Sequence, residues 1–137
     1  MSREIKFRVW DVENKEMLNV QELDFEPTFY GGRIAIRPDQ YSDYFDTEDM
    51  ILMQYTGLHD KNGKEIYEGD IIKCKKYIGG NFVDYCIEKG FVEFKDGEFG
   101  LHRKQGYYQS LRKFIEYDYE LEVISNISDN PELLGGK

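Results

Sequence analysis

Gln54 to Lys73 reads Gln-Tyr-Thr-Gly-Leu-His-Asp-Lys-Asn-Gly-Lys-Glu-Ile-Tyr-Glu-Gly-Asp-Ile-Ile-Lys, and it sets two turn signals between apolar positions. Such a stretch describes a tightly reversing β segment with little freedom in its register. The first signal is Asp60-Lys61-Asn62-Gly63. A two-residue Asn-Gly loop would place Asp60 opposite Glu65 and Lys61 opposite Lys64, with like charges facing across the ladder. A type I turn starting at Asp60, with Gly63 in the left-handed region, avoids that conflict and belongs to the three-residue hairpin class. The second signal, Glu68-Gly69-Asp70, leads into a strand from Ile71 to Tyr77.

Composition supports a β reading. Aromatic residues make up 15% of the chain, chiefly eleven Tyr and nine Phe, and such side chains favour pleated, half-buried surfaces. A length of 137 residues suits one domain with a real core, spanning 1–137 without an evident linker or repeat. The net charge of −9 opposes long-range attraction to phosphate backbones, so no sequence-independent binding to duplex DNA is expected. Such a surface chiefly keeps the chain soluble, and it also suits basic partners. Cys74 and Cys86 lack the number and spacing of a disulfide framework or zinc site, and they read as small strand residues in a reducing compartment. No apolar run reaches the ~18 residues of a membrane helix, and the N-terminus lacks the apolar stretch of a secretory signal. A cytoplasmic protein is expected.

Along the chain, Ile5, Phe7 and Val9 alternate with Lys6 and Arg8 as a half-buried strand. Met17 to Phe25 forms a second strand after the polar turn Asp11 to Glu16. Gly31-Gly32 separates Phe29-Tyr30 from the short apolar run Ile34 to Ile36. Pro38 to Asp49 reads as an irregular, mobile surface loop. Met50 to Tyr55 reads as a strand covered on both faces. Gly79-Gly80-Asn81 closes a hairpin whose returning strand is Phe82 to Glu88. Asp96-Gly97 suits a two-residue type I′ turn that pairs Lys95 with Glu98, Phe94 with Phe99 and Val92 with Leu101. The last four apolar residues then share one face, expected to be the core face. Ser110 to Phe114 reads as a helical turn with Ser110 as its cap. From Ile115 to Val123, apolar residues alternate with Glu116, Asp118, Glu120 and Glu122, giving a strand with one apolar and one acidic face. Asn130-Pro131 begins a tail in which Glu132-Leu133-Leu134 could form one helical turn.

This acidic row needs cationic neighbours, and Lys6 and Arg8 repeat at the same period of two. Pairing Glu4–Trp10 with Ile115–Ile124 would join apolar residues on one side and opposite charges on the other, at about 0.2–1 kcal/mol per cross-strand pair. The two segments are therefore expected to be neighbours in one sheet.

Little of this composes a reaction centre, so no catalytic and no metal-binding residues are assigned and no cofactor is expected. His59 and His102 each need an orienting partner and a nucleophile before general-base chemistry follows, and both read as structural. Asp39, Asp43, Asp46, Glu48 and Asp49 lack the alternating ligands and central Gly of an EF-hand loop. Asp118, Glu120 and Glu122 owe their spacing to the pleat, and they read as an exposed face before they read as glycosidase carboxylates. Base stacking is conceivable only where aromatics meet cations. That occurs once, over 103–113, where Arg103, Lys104, Arg112 and Lys113 flank Tyr107-Tyr108, with Tyr117 and Tyr119 beyond.

Three blocks resemble a known family. They are Glu4-Ile-Lys-Phe-Arg-Val-Trp-Asp11, Leu52-Met-Gln-Tyr-Thr-Gly-Leu58 with Asp60 through Ile72, and Glu122-Val-Ile-Ser-Asn-Ile127 with Asn130-Pro-Glu-Leu-Leu134. In this order they resemble the YopX-like proteins of bacteriophages and prophages of Gram-positive bacteria. The regions Asn19–Asp49 and Lys75–Glu116 show no strong family pattern. The resemblance implies a mainly β protein of antiparallel sheets with an SH3-like small barrel or roll and few helical turns. It supplies no activity and no catalytic residue. The expectation is a non-enzymatic accessory protein of a phage or prophage, binding an unknown protein partner or a second copy of itself in the host cytoplasm. The alternative is a nucleic-acid-associated barrel using 103–113.

Overall fold

The computed structural model describes residues 4–26, 34–78, 81–84, 90–103, 108–116 and 119–130. The chain forms two compact units, Met1–Tyr55 and Thr56–Lys137. All its sheet pairings that are described run antiparallel.

In the first unit, β1 (Phe7–Asp11) lies between β2 (Glu16–Asp24) and the start of β4 (Met50–His59), and β3 (Ala35–Pro38) extends the sheet beyond β2. Asp11 makes the β1–β2 turn. Its Oδ1 accepts the N–H groups of Glu13 and Asn14 at 3.1 and 3.2 Å, and Oδ2 accepts the Asn14 amide at 2.9 Å. Val9, Ile36 and Met50 form the buried centre, with Leu18, Val20, Leu23, Ile34, Phe45 and Leu52 packed around it. Met53 and Tyr55, of opposite parity to Met50, are buried as well. The Met50–Tyr55 strand is therefore covered on both faces, although Ile51 stays exposed. The acidic 38–49 segment is irregular but pinned. Ile36 and Phe45 exchange backbone bonds of 2.7 Å each way, and Tyr41 packs edge-on to Phe45. Arg37 pairs with Glu22 across β2–β3, and Tyr44 Oη donates to the other Glu22 oxygen at 2.8 Å. Those bonds, Arg37's first, hold the Glu22 carboxyl below its ordinary range despite some desolvation.

In the second unit, the last residues of β4 pair with β5 (Glu65–Tyr67), and Thr56 Oγ1 donates to the Ile66 carbonyl at 2.8 Å. The larger sheet runs β10 (Tyr108–Ser110), β9 (Glu98–Arg103), β8 (Gly90–Lys95), β6 (Asp70–Ile78) and β11 (Tyr119–Asn126), with β7 (Asn81–Asp84) also on β6. Among the described residues neither sheet closes on itself, and the fold is mainly β with one short helix. Helix α1 (Leu111–Glu116) buries Leu111 and Phe114 against Ile66, Ile72, Cys74, Val92, Leu101 and Leu121. Cys74, expected as a small strand residue, is buried within β6.

The turn chemistry of the sequence holds. Asp60 N–H donates to the Lys64 carbonyl and Gly63 N–H to the Asp60 carbonyl, and Gly63 has φ 81°. This is the wider loop that the charge argument favours. Asp96 and Gly97 have φ 52° and 83°, as a type I′ turn requires, and the ladder pairs Lys95 with Glu98, Phe94 with Phe99 and Val92 with Leu101. Gly69 also takes positive φ between β5 and β6.

Three expectations are corrected. Phe94 shares a face with Phe99, but it is 54% exposed. The core ends at the Val92–Leu101 pair that α1 covers, so the hairpin tip overhangs it. Ile115 and Glu116 belong to α1, and the last strand begins later, at Tyr119. The first and last strands are not neighbours. β1 is flanked by β2 and β4, whereas β11 pairs with β6. The acidic residues of β11 meet a different basic strand, Glu120 opposite Lys75 and Glu122 opposite Lys73. Phe29 to Gly32, Gly79-Gly80, Cys86 and the tail from Pro131 lie outside the described residues.

Gly90 is a position where β8 and β9 come unusually close. A Cβ there would lie 2.7 Å from Leu101 Cγ and 3.0 Å from the His102 carbonyl oxygen. Gly90→Ala should cost about 1–3 kcal/mol through overpacking, read as a lowered midpoint in urea denaturation.

Candidate functional site

Two features of the second unit stand out chemically. One is the tip of the β8–β9 hairpin, and the other is the edge of β11 beside the Asp60 turn.

At the tip, the type I′ turn carries Lys95 and Glu98 at its base, both exposed. Behind them Phe94 and Phe99 meet edge-to-face, with ring centroids 5.1 Å apart and planes at 70°. Phe99 reaches the core cluster, which anchors the pair and leaves Phe94 as an apolar projection. On the same hairpin, His102 stacks on Phe91 with centroids 5.2 Å apart, and its Nδ1 lies 2.9 Å from Glu93 Oε1. His102 therefore has the orienting carboxylate that its sequence neighbourhood does not reveal. The signal was the hairpin register: it puts His102 opposite Phe91 and Gly100 opposite Glu93, making Glu93 the diagonal neighbour of His102 with no side chain between.

At the β11 edge, Asp60 is almost wholly buried. Its Oδ1 accepts the N–H groups of Asn62 and Lys64, each at 2.9 Å, and Oδ2 accepts that of Val123 at 2.9 Å. Burial pushes its carboxyl up, but the three backbone donors and nearby Lys64 outweigh that and leave it below the ordinary value. Lys61 N–H donates to the Leu121 carbonyl at 2.9 Å, and Lys61 Nζ lies 3.6 Å from Glu120 Oε1 and 3.8 Å from Glu122 Oε1. The acidic face of β11 is therefore half-buried and bridged by a lysine. Beside it opens a cleft of about 460 Å³ lined by His59, Lys61, Ile115, Tyr119 and Glu120, among others.

Asp39, Asp43, Asp46, Glu48 and Asp49 stay spread along their loop, and among the described residues no group of three or more His, Cys, Asp or Glu could hold a metal ion. Asp46 caps its own turn, its Oδ1 accepting the Glu48 N–H. Of the basic-aromatic stretch, Lys104 to Tyr107 lie outside the described residues, as do Tyr117 and Asp118. Arg112 and Lys113 are exposed on α1, Arg112 Nε lying 3.6 Å from Glu116 Oε1. Tyr119 packs edge-on against Phe114 at 5.2 Å, serving the core instead of a stacking platform.

The chain as a whole is similar to known proteins. The family described as YopX protein matches residues 6–135 of this chain. Two crystal structures share the fold. Protein EF1440 from Enterococcus faecalis is 29% identical with a TM-score of 0.57, covering 97% of this chain and 99% of that one. Protein yopX from Bacillus subtilis is 23% identical with a TM-score of 0.59, covering 96% and 97%, and that likeness speaks for the fold alone. No curated protein matches.

Proposed function

The chain belongs to the YopX family, and from that premise we propose that it is a phage- or prophage-encoded accessory protein that acts by binding another protein, without catalysis, in the host cytoplasm. The observation that carries this reading is Phe94, an aromatic side chain 54% exposed yet braced by Phe99 at 5.1 Å. An exposed ring near the tip of a hairpin, packed on its cross-strand neighbour, gains contact area on binding without losing much conformational freedom, which is how aromatic anchors come to dominate interfaces. The net charge of −9 favours partners carrying basic rims and disfavours duplex nucleic acid. Among the described residues no helix is long and apolar enough to cross a membrane.

The test is affinity capture from a phage-infected Gram-positive host, with wild type and Phe94→Ala as baits. Wild type should retain a defined partner, and Phe94→Ala should lose it by about tenfold or more, as an interface hot spot does. Capture of the same proteins in equal amounts by both baits would rule out the tip as the docking anchor. The alternative, nucleic-acid contact through 103–113, is separated by anisotropy titration with duplex DNA and single-stranded RNA. No association at micromolar concentration is expected at ~150 mM salt, and micromolar binding would favour the alternative.

A further inference from the structure

Among the described residues, the edge of β11 opposite β6 is covered by a turn instead of a strand. Residues of an antiparallel strand alternate in the direction their peptide groups face. Leu121 and Val123 face away from β6: the Leu121 carbonyl accepts from Lys61 N–H and Val123 N–H donates to Asp60 Oδ2, both at 2.9 Å. One acceptor and one donor on alternate residues are what an adjoining strand would engage. The same turn supplies the matching charge, since Lys61 Nζ bridges Glu120 and Glu122 at 3.6 and 3.8 Å. Next to it lies the cleft of about 460 Å³, with Ile115 44% exposed on its wall.

We propose that Asp60 and Lys61 are an internal stand-in for an incoming strand, and that the β11 edge is a docking edge for an extended cationic segment of a protein partner, which displaces them. This rests on the reading of the chain as a protein-binding module and names the chemistry of what it binds. An unguarded edge invites indiscriminate pairing; here the turn covers it and a register shift between Val123 and Ser125 interrupts it. Strand addition takes its affinity from main-chain bonds and its specificity from alternate side chains. A segment with Lys or Arg at every second position places cations where the Lys61 ammonium now sits and apolar side chains beside Ile115. A second copy fits worse, because antiparallel β11–β11 pairing brings the acidic rows of the two strands together.

Lys61→Pro is the informative variant. Proline suits the first central position of a type I turn, so the hairpin is retained while the N–H to Leu121 and the ammonium are both lost. Lys61→Gln removes the ammonium alone and guards against misfolding of the first. Both are titrated with a labelled peptide of alternating Lys and Val and with its Glu-Val counterpart, by anisotropy. The Lys-Val peptide should bind Lys61→Pro about tenfold or more tighter than wild type, with Lys61→Gln between them. Adding Glu120→Gln and Glu122→Gln should abolish the gain, and the Glu-Val peptide should not bind. Equal affinity of wild type and both variants, or equal affinity for both peptides, overturns the proposal. Dimerisation of Lys61→Pro without peptide binding overturns it in favour of a second copy. Phe94→Ala is outside this edge and should leave peptide binding unchanged, so failure here is distinguishable from failure of the hairpin tip as an anchor.

Discussion

Asp60→Ala is expected to lower stability by about 3 kcal/mol, or roughly 10 °C in Tm. The side chain is a nearly buried carboxylate that accepts the N–H groups of Asn62, Lys64 and Val123. Removing it leaves donors without an acceptor in a place water reaches poorly, which costs more than the net worth of the bonds. The effect has a defined pH dependence. The folded carboxyl lies below its ordinary value of 3.8, so its stabilisation is fully present above that value and fades as pH falls through the lower folded one. Wild type should therefore lose part of its advantage over Asp60→Ala as pH falls below the ordinary carboxylate value, and the two melting curves should draw closer in acid. Asp60→Asn keeps the shape and one acceptor oxygen, and should fall between them. A difference between wild type and Asp60→Ala that stays constant from neutral pH to strong acid would contradict the assignment.

Phe114→Ala should be the more damaging change, at about 3–5 kcal/mol. Phe114 has no exposed surface, sits among Val92, Leu101, Leu111 and Leu121, and meets Tyr119 edge-to-face. Its loss opens a cavity under α1, whose six residues are too few to be helical without packing. Circular dichroism and urea denaturation should show a large drop in the midpoint and loss of the helical turn. Phe94→Ala is the matched control. That ring is exposed, so the same truncation should change stability within about ±0.5 kcal/mol. Comparable destabilisation by both would mean that the tip belongs to the core after all.

The contrast between these phenylalanines marks how far sequence reasoning reaches. Both sit in segments with clear apolar patterning, and the Asp96-Gly97 turn sets the pairing of Phe94 with Phe99 correctly. Pattern alone assigns a face, but it does not say how far along the strands the covering layer extends. That depends on where α1 lands, and its last residues, Ile115 and Glu116, continue the strand-like alternation seen from sequence. Period two and one turn of helix cannot be told apart over so few positions.

Charge pairing shows the same division. The acids of β11 called for a basic strand of period two, and such a strand is there, carrying Lys73 and Lys75. The sequence contains two candidates of that kind, and Lys6 with Arg8 was the wrong one. Cross-strand pairs of a few tenths of a kcal/mol do not choose between strand orders; burial of whole faces does.

The sequence by itself determined the local geometry. The turns at Asp60, Gly69 and Asp96-Gly97 depend on backbone preferences of the residues in them, and the hairpin registers follow from those turns. It also determined the β class, through aromatic content and alternation, and the family, through three ordered blocks. Only the tertiary structure decided that β1 and β11 lie in different sheets, that Glu93 orients His102, and that Asp60 reaches Val123, residues separated by 63 positions. Contacts of that kind depend on which faces must be buried together, a property of the packed chain that no local pattern records.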